Sequence, residues 1–406
     1  MTTKNKNMVV AIDLGYGEIK ANIDGKYIDQ QSVVSEVKQV ANDPIDHNNE
    51  EIVQSTVENL LDNLDVTIHE KRYLIGNLAS SSSLTRRGFD INSQLGKANT
   101  DLSTTLPLAY IAGRAVQEAY EKDEDIFEPL SVKVVMTTAL PISEIGFGES
   151  KKREEYANLF LGRKHIVILN NFDSPISVTI QFSNVRIYKE GEVATALAIK
   201  NGPKELKNSL KKSIKSDYPE LADNADAIID KAENVLGIDI GQGTTDLALT
   251  TDGKADAYNS NSIAQGYGTV LRKASKYLSR MTGGFKVKDI IEFTRIVNSN
   301  PTNKMDEEKK ELCLKAIDTS TSSLVLEIEE NLNDILEENN NLEVIYVFGG
   351  GSIPLKNQTS LTNSIKDSLQ RHRCSAALVW VDAKYAQRLN EIGLEILANA
   401  LNEVSK

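Results

Sequence analysis

Two stretches of this chain end an apolar run with a carboxylate and then turn on glycines. One is Ile12-Asp13-Leu14-Gly15-Tyr16-Gly17, with Lys20 close behind; the other is Ile238-Asp239-Ile240-Gly241-Gln242-Gly243-Thr244-Thr245-Asp246. Glycines at a turn let backbone N–H groups approach an anion closely, and threonine hydroxyls add donors. Phosphate binding is the chemistry such a turn suits; the plain alternative is a hairpin with no ligand. The second stretch lacks the third glycine of a dinucleotide fingerprint, and a strand rather than a helix follows it, so that reading is weak. A third apolar run, Val344 to Phe348, ends in Gly349-Gly350-Gly351-Ser352. Three glycines after a buried strand point to a ligand lying on bare backbone, with a flexible turn as the alternative. Glu190 stands where a strand runs into an alanine-rich helix, as a site carboxylate or as a simple helix cap. His47, His69, His165 and His372 form no pattern, and no residue reads as a covalent nucleophile. Cys313 and Cys374 lie outside any metal-ligand spacing and read as free thiols of a reducing compartment.

The elements that position these residues follow from hydrophobic spacing. Residues 8–23 and 235–250 each read as strand, turn, strand, and the first repeats the second: Ile12, Asp13, Leu14, Gly15 and Gly17 fall against Ile238, Asp239, Ile240, Gly241 and Gly243. The offset is half the chain, so two related lobes are expected, each presenting a hairpin to one shared ligand. Residues 24–45 mix strand pieces with turns and break at Asp43-Pro44. Residues 48–65 read as a solvated loop and helix, and 80–88 as a surface loop. Thr104 to Tyr120 has the spacing of a core-facing helix. The charged stretch 203–233 reads as a surface helix pair and linker, Lys309 to Glu338 as a long amphipathic helix, and Ala386 to Val404 as a terminal helix containing Gly393.

A chain of 406 residues is long enough for two or more domains, each with a full core. Its net charge of -12 argues against a surface that grips nucleic-acid backbone directly, so any link to DNA would run through a basic partner. The polar start, Met1 to Asn7, has no apolar segment behind it long enough for a signal peptide or membrane span, and a cytoplasmic protein is expected.

The order and spacing of these motifs resemble the actin-like ATPase superfamily, which also holds the large heat-shock chaperones and the sugar kinases. Ala11–Lys20 is similar to its first phosphate motif, Asp239–Asp246 to the second, and Val347–Ser352 to its adenosine motif. Glu190 stands where the first interlobe connector carries its catalytic acid or amide, and Gly393 lies in a helix like the second connector. Within the superfamily the chain resembles the plasmid-segregation actins of the ParM type, through Asp13-Leu14-Gly15-Tyr16-Gly17, Lys20, Thr138-Ala139-Leu140-Pro141, Glu190-Gly191 and Asp382-Ala383-Lys384-Tyr385-Ala386. It departs from that pattern at Ala139, often glycine there, and at Lys189, often proline.

The resemblance implies an α/β, actin-like fold with two related lobes around an interlobe nucleotide cleft. The first lobe would take residues 1–202 and 380–406, the second 203–379. It implies ATP as ligand, with GTP as the alternative base, and Mg, which Asp13 and Asp239 would hold mainly through water. Backbone N–H groups of Leu14, Gly15, Tyr16 and Gly17 and of Gly241, Gln242, Gly243, Thr244 and Thr245 would hold the β- and γ-phosphates. Lys20 and the threonine hydroxyls would add charge and donors. Glu190, with Asp239, would serve catalysis by orienting the attacking water, and Gly349, Gly350, Gly351 and Ser352 would carry the adenosine. Filaments of the chain itself would follow, segregating plasmid DNA through a small DNA-binding adaptor on a plasmid centromere, with neither direct nucleic-acid binding nor membrane attachment. Two other members of the superfamily compete. A small-molecule kinase or exopolyphosphatase needs an additional catalytic acid beside a substrate cleft, which the sequence does not offer. A chaperone-like reactivase needs a substrate-binding domain, and none is expected after the terminal helix.

Overall fold

The computed structural model describes residues 6–38, 44–91, 93, 96–146, 150–283 and 285–404. The start before Lys6 and the Asp43 half of the Asp43-Pro44 break lie outside the described residues. The chain forms two compact units, one of Met1–Leu140, Glu144–Lys189 and Asn390–Lys406, the other of Pro141–Ser143 and Glu190–Leu389. Each has its own hydrophobic core.

The first unit is built on a ten-stranded sheet. Its strands are β1 (Lys6–Leu14), β2 (Glu18–Ile23), β3 (Lys26–Gln31), β4 (Val33–Val37) and β5 (Asn63–Ile68), then β6 (Lys71–Gly76), β7 (Arg86–Gly88), β8 (Leu130–Leu140), β9 (Lys164–Leu169) and β10 (Ile176–Lys189). They lie in the order β3-β2-β1-β8-β10-β9-β5-β6-β4-β7. The second unit holds a six-stranded sheet of β11 (Val235–Ile240), β12 (Thr245–Thr251), β13 (Lys254–Ala255), β14 (Asn261–Ile263), β15 (Val344–Phe348) and β16 (Ala377–Trp380). Its order is β13-β12-β11-β15-β16, with β14 on β12.

The repeat seen in the sequence is a repeat of topology. β3-β2-β1-β8-β10 and β13-β12-β11-β15-β16 share one pattern: two antiparallel pairings followed by two parallel ones. The central strands are covered on both faces, which is why β11 is buried at every position and reads as one unbroken apolar run. Their carboxyl ends deliver the motifs: β1 delivers Asp13, β11 delivers Asp239, β10 leads into Glu190 and β15 into Gly349.

Three segments differ from the sequence reading. Asn63–Ile68, expected within a solvated stretch, is an interior strand. Its polar member Asp65 is tolerated because Arg72 meets its carboxylate with two hydrogen bonds of 2.7 Å, and a buried charge so paired no longer marks a surface. Part of the expected loop 80–88 is strand β7, paired with β4. The helix Leu102–Glu121 buries nearly its whole circumference, not one stripe. Its polar residues find local partners: Arg114 binds Glu121 at 2.7 Å, and Gln117 Nε2 donates to the Val57 carbonyl at 2.9 Å.

The helices Lys204–Asp217 and Ala225–Lys231 form the expected charged pair, tied by Lys207–Asp230 at 2.7 Å and by a Lys211–Asp226 ion pair. The long helix spans Lys304–Glu338 and begins earlier than its apolar spacing indicates, because Asn303 caps it by accepting from the Asp306 amide.

Candidate functional site

In the first unit, β1 and β2 pair so that Asp13 stands opposite Lys20. The turn between them closes with Gly15 N–H donating to the Glu18 carbonyl at 3.0 Å. A Cβ on Gly15 would lie 2.6 Å from that carbonyl, so the turn needs a glycine. Ser32 braces it from β3's end, donating from Oγ to the Gly15 carbonyl at 2.8 Å and from N–H to the Gly17 carbonyl at 2.9 Å. Tyr16 packs edge-on against Phe89. Burial pushes the Asp13 carboxyl above the ordinary aspartate range, opposed by Lys97 and then Lys20. The Lys20 ammonium donates to Glu18 at 2.7 Å. Burial opposes its charge, but Glu18, Asp29 and Asp13 outweigh that and hold Lys20 above the usual lysine range.

The second unit repeats this hairpin in the same register. Asp239 stands opposite Asp246, seven residues on, as Lys20 is seven residues beyond Asp13. Gly241 N–H donates to the Thr244 carbonyl at 2.9 Å, the counterpart of the Gly15–Glu18 bond. The threonine hydroxyls are engaged within the unit: Thr244 donates to Asp246 Oδ2 at 2.9 Å, and Thr245 to the Gln265 carbonyl at 2.9 Å. Asp246 also accepts the Ile142 amide at 3.1 Å. The helix Tyr267–Met281 buttresses the turn, its first amides donating to the Gly241 and Gln242 carbonyls, each at 2.9 Å. Side chains at Gly266 and Gly268 would put a Cβ at 2.5 Å and 2.6 Å from that turn.

The triple glycine lies against the same strand end. Gly349 has a φ of +85°, and a Cβ there would fall 2.3 Å from Asp239 Oδ1. Gly351 N–H donates to the Ile240 carbonyl at 2.7 Å, and its missing Cβ leaves room for Ile240 and Tyr267. The unit therefore has its own packing reasons for Gly349 and Gly351, whatever lies on them. Ser352 is buried, its hydroxyl donating to the Gly349 carbonyl at 2.7 Å.

Glu190 is buried at the strand–helix junction, followed by Gly191 in left-handed backbone at φ +77°. A Cβ on Gly191 would touch Ala248 at 3.0 Å, so the junction sits against β12. The helical turn Ala194–Ala198 that follows has the wider π hydrogen-bond pattern. Thr195 fits a methyl over Gly237, where a Cβ would be 2.4 Å away. The first unit thus gathers Asp13, Leu14, Gly15, Tyr16, Gly17 and Lys20; the second gathers Asp239, Gly241 to Thr245 and Gly349 to Ser352, with the Glu190 junction on β12.

Each unit by itself offers a carboxylate oxygen, the ligand type a hard divalent cation takes, at a homologous strand end: Asp13 in the first and Asp239 in the second. In the first unit, the desolvation that penalises the Asp13 anion is a cost a bound cation would relieve.

Sequence reasoning gave two residues here no role. Asp246 was quoted only as the end of the second motif, and its cross-strand register with Asp239 was the signal that could have singled it out. Lys97 had no comparable signal. It is fully buried, and its ammonium donates to the Leu14 carbonyl at 2.9 Å and sits 4.9 Å from the centre of the Tyr16 ring. Nothing in the spacing of its neighbours connects it to residue 14.

Comparison with known proteins bears on the fold. Residues 11–192 match the family model for the N-terminal domain of actin-like proteins, and residues 237–360 that for the C-terminal domain of the archaeal, MreB-like actin homologue. No curated protein sequence matches the chain. Among solved structures, the actin-like protein Alp7A is 19% identical, with 98% of this chain and 97% of that chain covered and a TM-score of 0.64. A non-polymerisable quadruple mutant of pCBH ParM is 18% identical, covering 97% and 100%, with a TM-score of 0.60. Bacillus thuringiensis ParM with AMPPNP is 16% identical, covering 98% and 100%, with a TM-score of 0.53. At these identities the likeness is one of fold.

Proposed function

We propose that this chain, two stretches of which match models of actin-like domains, binds and hydrolyses a nucleoside triphosphate, ATP in the first instance, and assembles into filaments that move plasmid DNA. The observation that carries the reading is the matched pair of hairpins, with Asp13 and Asp239 at the same register position of two units that share five-strand topology. A ParM with AMPPNP among the similar folds supports the nucleotide, and a ParM described as non-polymerisable by mutation supports assembly as the property that was removed.

In this reading the turn amides of 14–17 and 241–245 bind the β- and γ-phosphates, where backbone donors cost no reorganisation as charge develops. Asp13 and Asp239 would hold a magnesium ion, which would supply neutralisation of phosphate charge. Glu190 orients the attacking water and accepts its proton. Lys20, paired with Glu18, adds positive charge at the first turn, and Gly349 to Ser352 receive the adenosine. A protein with a net charge of -12 reaches DNA through a basic adaptor bound to a plasmid centromere, not with its own surface. In this reading the cytoplasm is the compartment for this work, as the plasmid it moves requires.

Phosphate release from ATP and from GTP, each with magnesium, tests the enzymatic half. Saturable release that stops on chelation of the metal is expected. A chain that neither binds nor hydrolyses either nucleotide contradicts the reading.

A further inference from the structure

Lys97 is a lysine in a place that lysines avoid. It is 1% exposed, and a buried ammonium is unfavourable unless the site compensates it. Its compensation comes from the first hairpin's turn. The ammonium donates to the Leu14 carbonyl at 2.9 Å and lies 4.9 Å from the centre of the Tyr16 ring, a cation–π distance. It is also the strongest of the cations opposing the desolvation of Asp13.

The backbone of Lys97 is itself held. Glu144 accepts the Lys97 amide at 2.8 Å on one carboxylate oxygen and the Ala98 amide at 3.2 Å on the other. Gly96, at φ +72°, leaves the room this carboxylate needs, since a Cβ there would fall 2.5 Å from Glu144 Oε2. Thr100 closes the segment, donating its amide at 3.0 Å and its hydroxyl at 2.8 Å to the Lys97 carbonyl. A surface lysine needs no such clamp. By contrast, Lys20, the lysine that the sequence pattern singles out, gives its ammonium to Glu18.

We propose that Lys97, held by Glu144, is the positioning residue of the first phosphate turn: it pins Leu14 and Tyr16 in the shape that offers the turn's amides to a phosphate. The proposal rests on the nucleotide reading of the hairpins for its function, but the pinning is a property of the free protein. Its test therefore pairs a readout without nucleotide with one that needs it.

Amide hydrogen exchange across 14–18 in the nucleotide-free full chain is compared for the unaltered protein, Lys97→Met and Glu144→Ala, alongside thermal unfolding. Binding of a fluorescent ATP analogue with magnesium is then titrated for each. The expected result is at least tenfold faster exchange confined to the turn in Lys97→Met, a smaller acceleration in Glu144→Ala, and an analogue Kd raised tenfold or more with bound-state turnover changed less than threefold. Unchanged exchange and unchanged affinity in a folded Lys97→Met overturn the proposal. Should Lys97→Met fail to fold, Glu144→Ala decides it, and unaltered exchange and affinity there overturn it equally. If the unaltered protein binds no analogue, the nucleotide reading fails, and the exchange comparison still accepts or rejects the pinning.

Discussion

At the scale of single residues, the site is a set of carboxylates and glycines whose reasons differ more than their pattern suggests. Glu190 occupies a junction where a cap and a catalyst look alike, and only kinetics separates them. Glu190→Ala is expected to lower single-turnover phosphate release by about 10²–10⁴-fold, the range of a lost general base, while nucleotide affinity stays within a few-fold. Near-normal release in that variant would leave Glu190 as a cap. Gly349 has an intrinsic duty besides any ligand contact. Gly349→Ala combines positive-φ strain of about 1–3 kcal/mol with a collision at Asp239 Oδ1. A urea midpoint shifted downward is expected even without nucleotide, and an unshifted one would contradict the packing account. The triple glycine was legible as a sign of close approach. What approaches at Gly349 and Gly351 was not, because the Asp239 carboxylate and the Ile240 carbonyl come from a strand more than a hundred residues away.

Among the elements, the hairpins were the most legible part of the chain. Their strands are short apolar runs bounded by glycines, and register between adjacent strands is a local matter. Long-range placement was not legible: Asn63–Ile68 looks hydrophilic until Arg72 pairs with Asp65, and Leu102–Glu121 looks one-sided until its polar residues meet their partners. β9 carries an acid-sensitive counterpart of these buried polar groups. His165 is buried, its Nε2 hydrogen-bonded with the Phe160 carbonyl at 2.9 Å and its Nδ1 without a partner. Desolvation, and to a lesser degree Arg163 and His69, hold it below the usual histidine range against the raising effect of that carbonyl. The unfolded chain then takes up the proton first. The contribution is fully present above about pH 6.5 and is lost as pH falls through that value towards the lower folded pKa. Urea midpoints of the unaltered chain and of His165→Gln at pH 7.5 and 5.5 check this. The loss on acidification is expected to be smaller in the variant, and equal losses would contradict it.

For the molecule as a whole, the internal repeat in the sequence proved to be a repeat of five-strand topology in two units, each with its own core. Two related lobes, each with its hairpin, followed from the matched Asp-aliphatic-Gly motifs; the shared order of five strands did not. The five additional strands of the first unit's sheet and the long helix Lys304–Glu338 of the second have no counterpart in the repeat, and only their local spacing, not their place beside it, was legible. Assembly belongs to this scale, because no single residue or element discloses it. Sedimentation of the purified chain, at several protein and salt concentrations, with ATP or GTP and magnesium and again after hydrolysis is complete, tests the central claim most directly. The account predicts a pellet that needs nucleoside triphosphate, persists when Glu190→Ala slows hydrolysis, and returns to the supernatant in the unaltered chain once the triphosphate is spent. Protein that stays in the supernatant under every one of those conditions would contradict it.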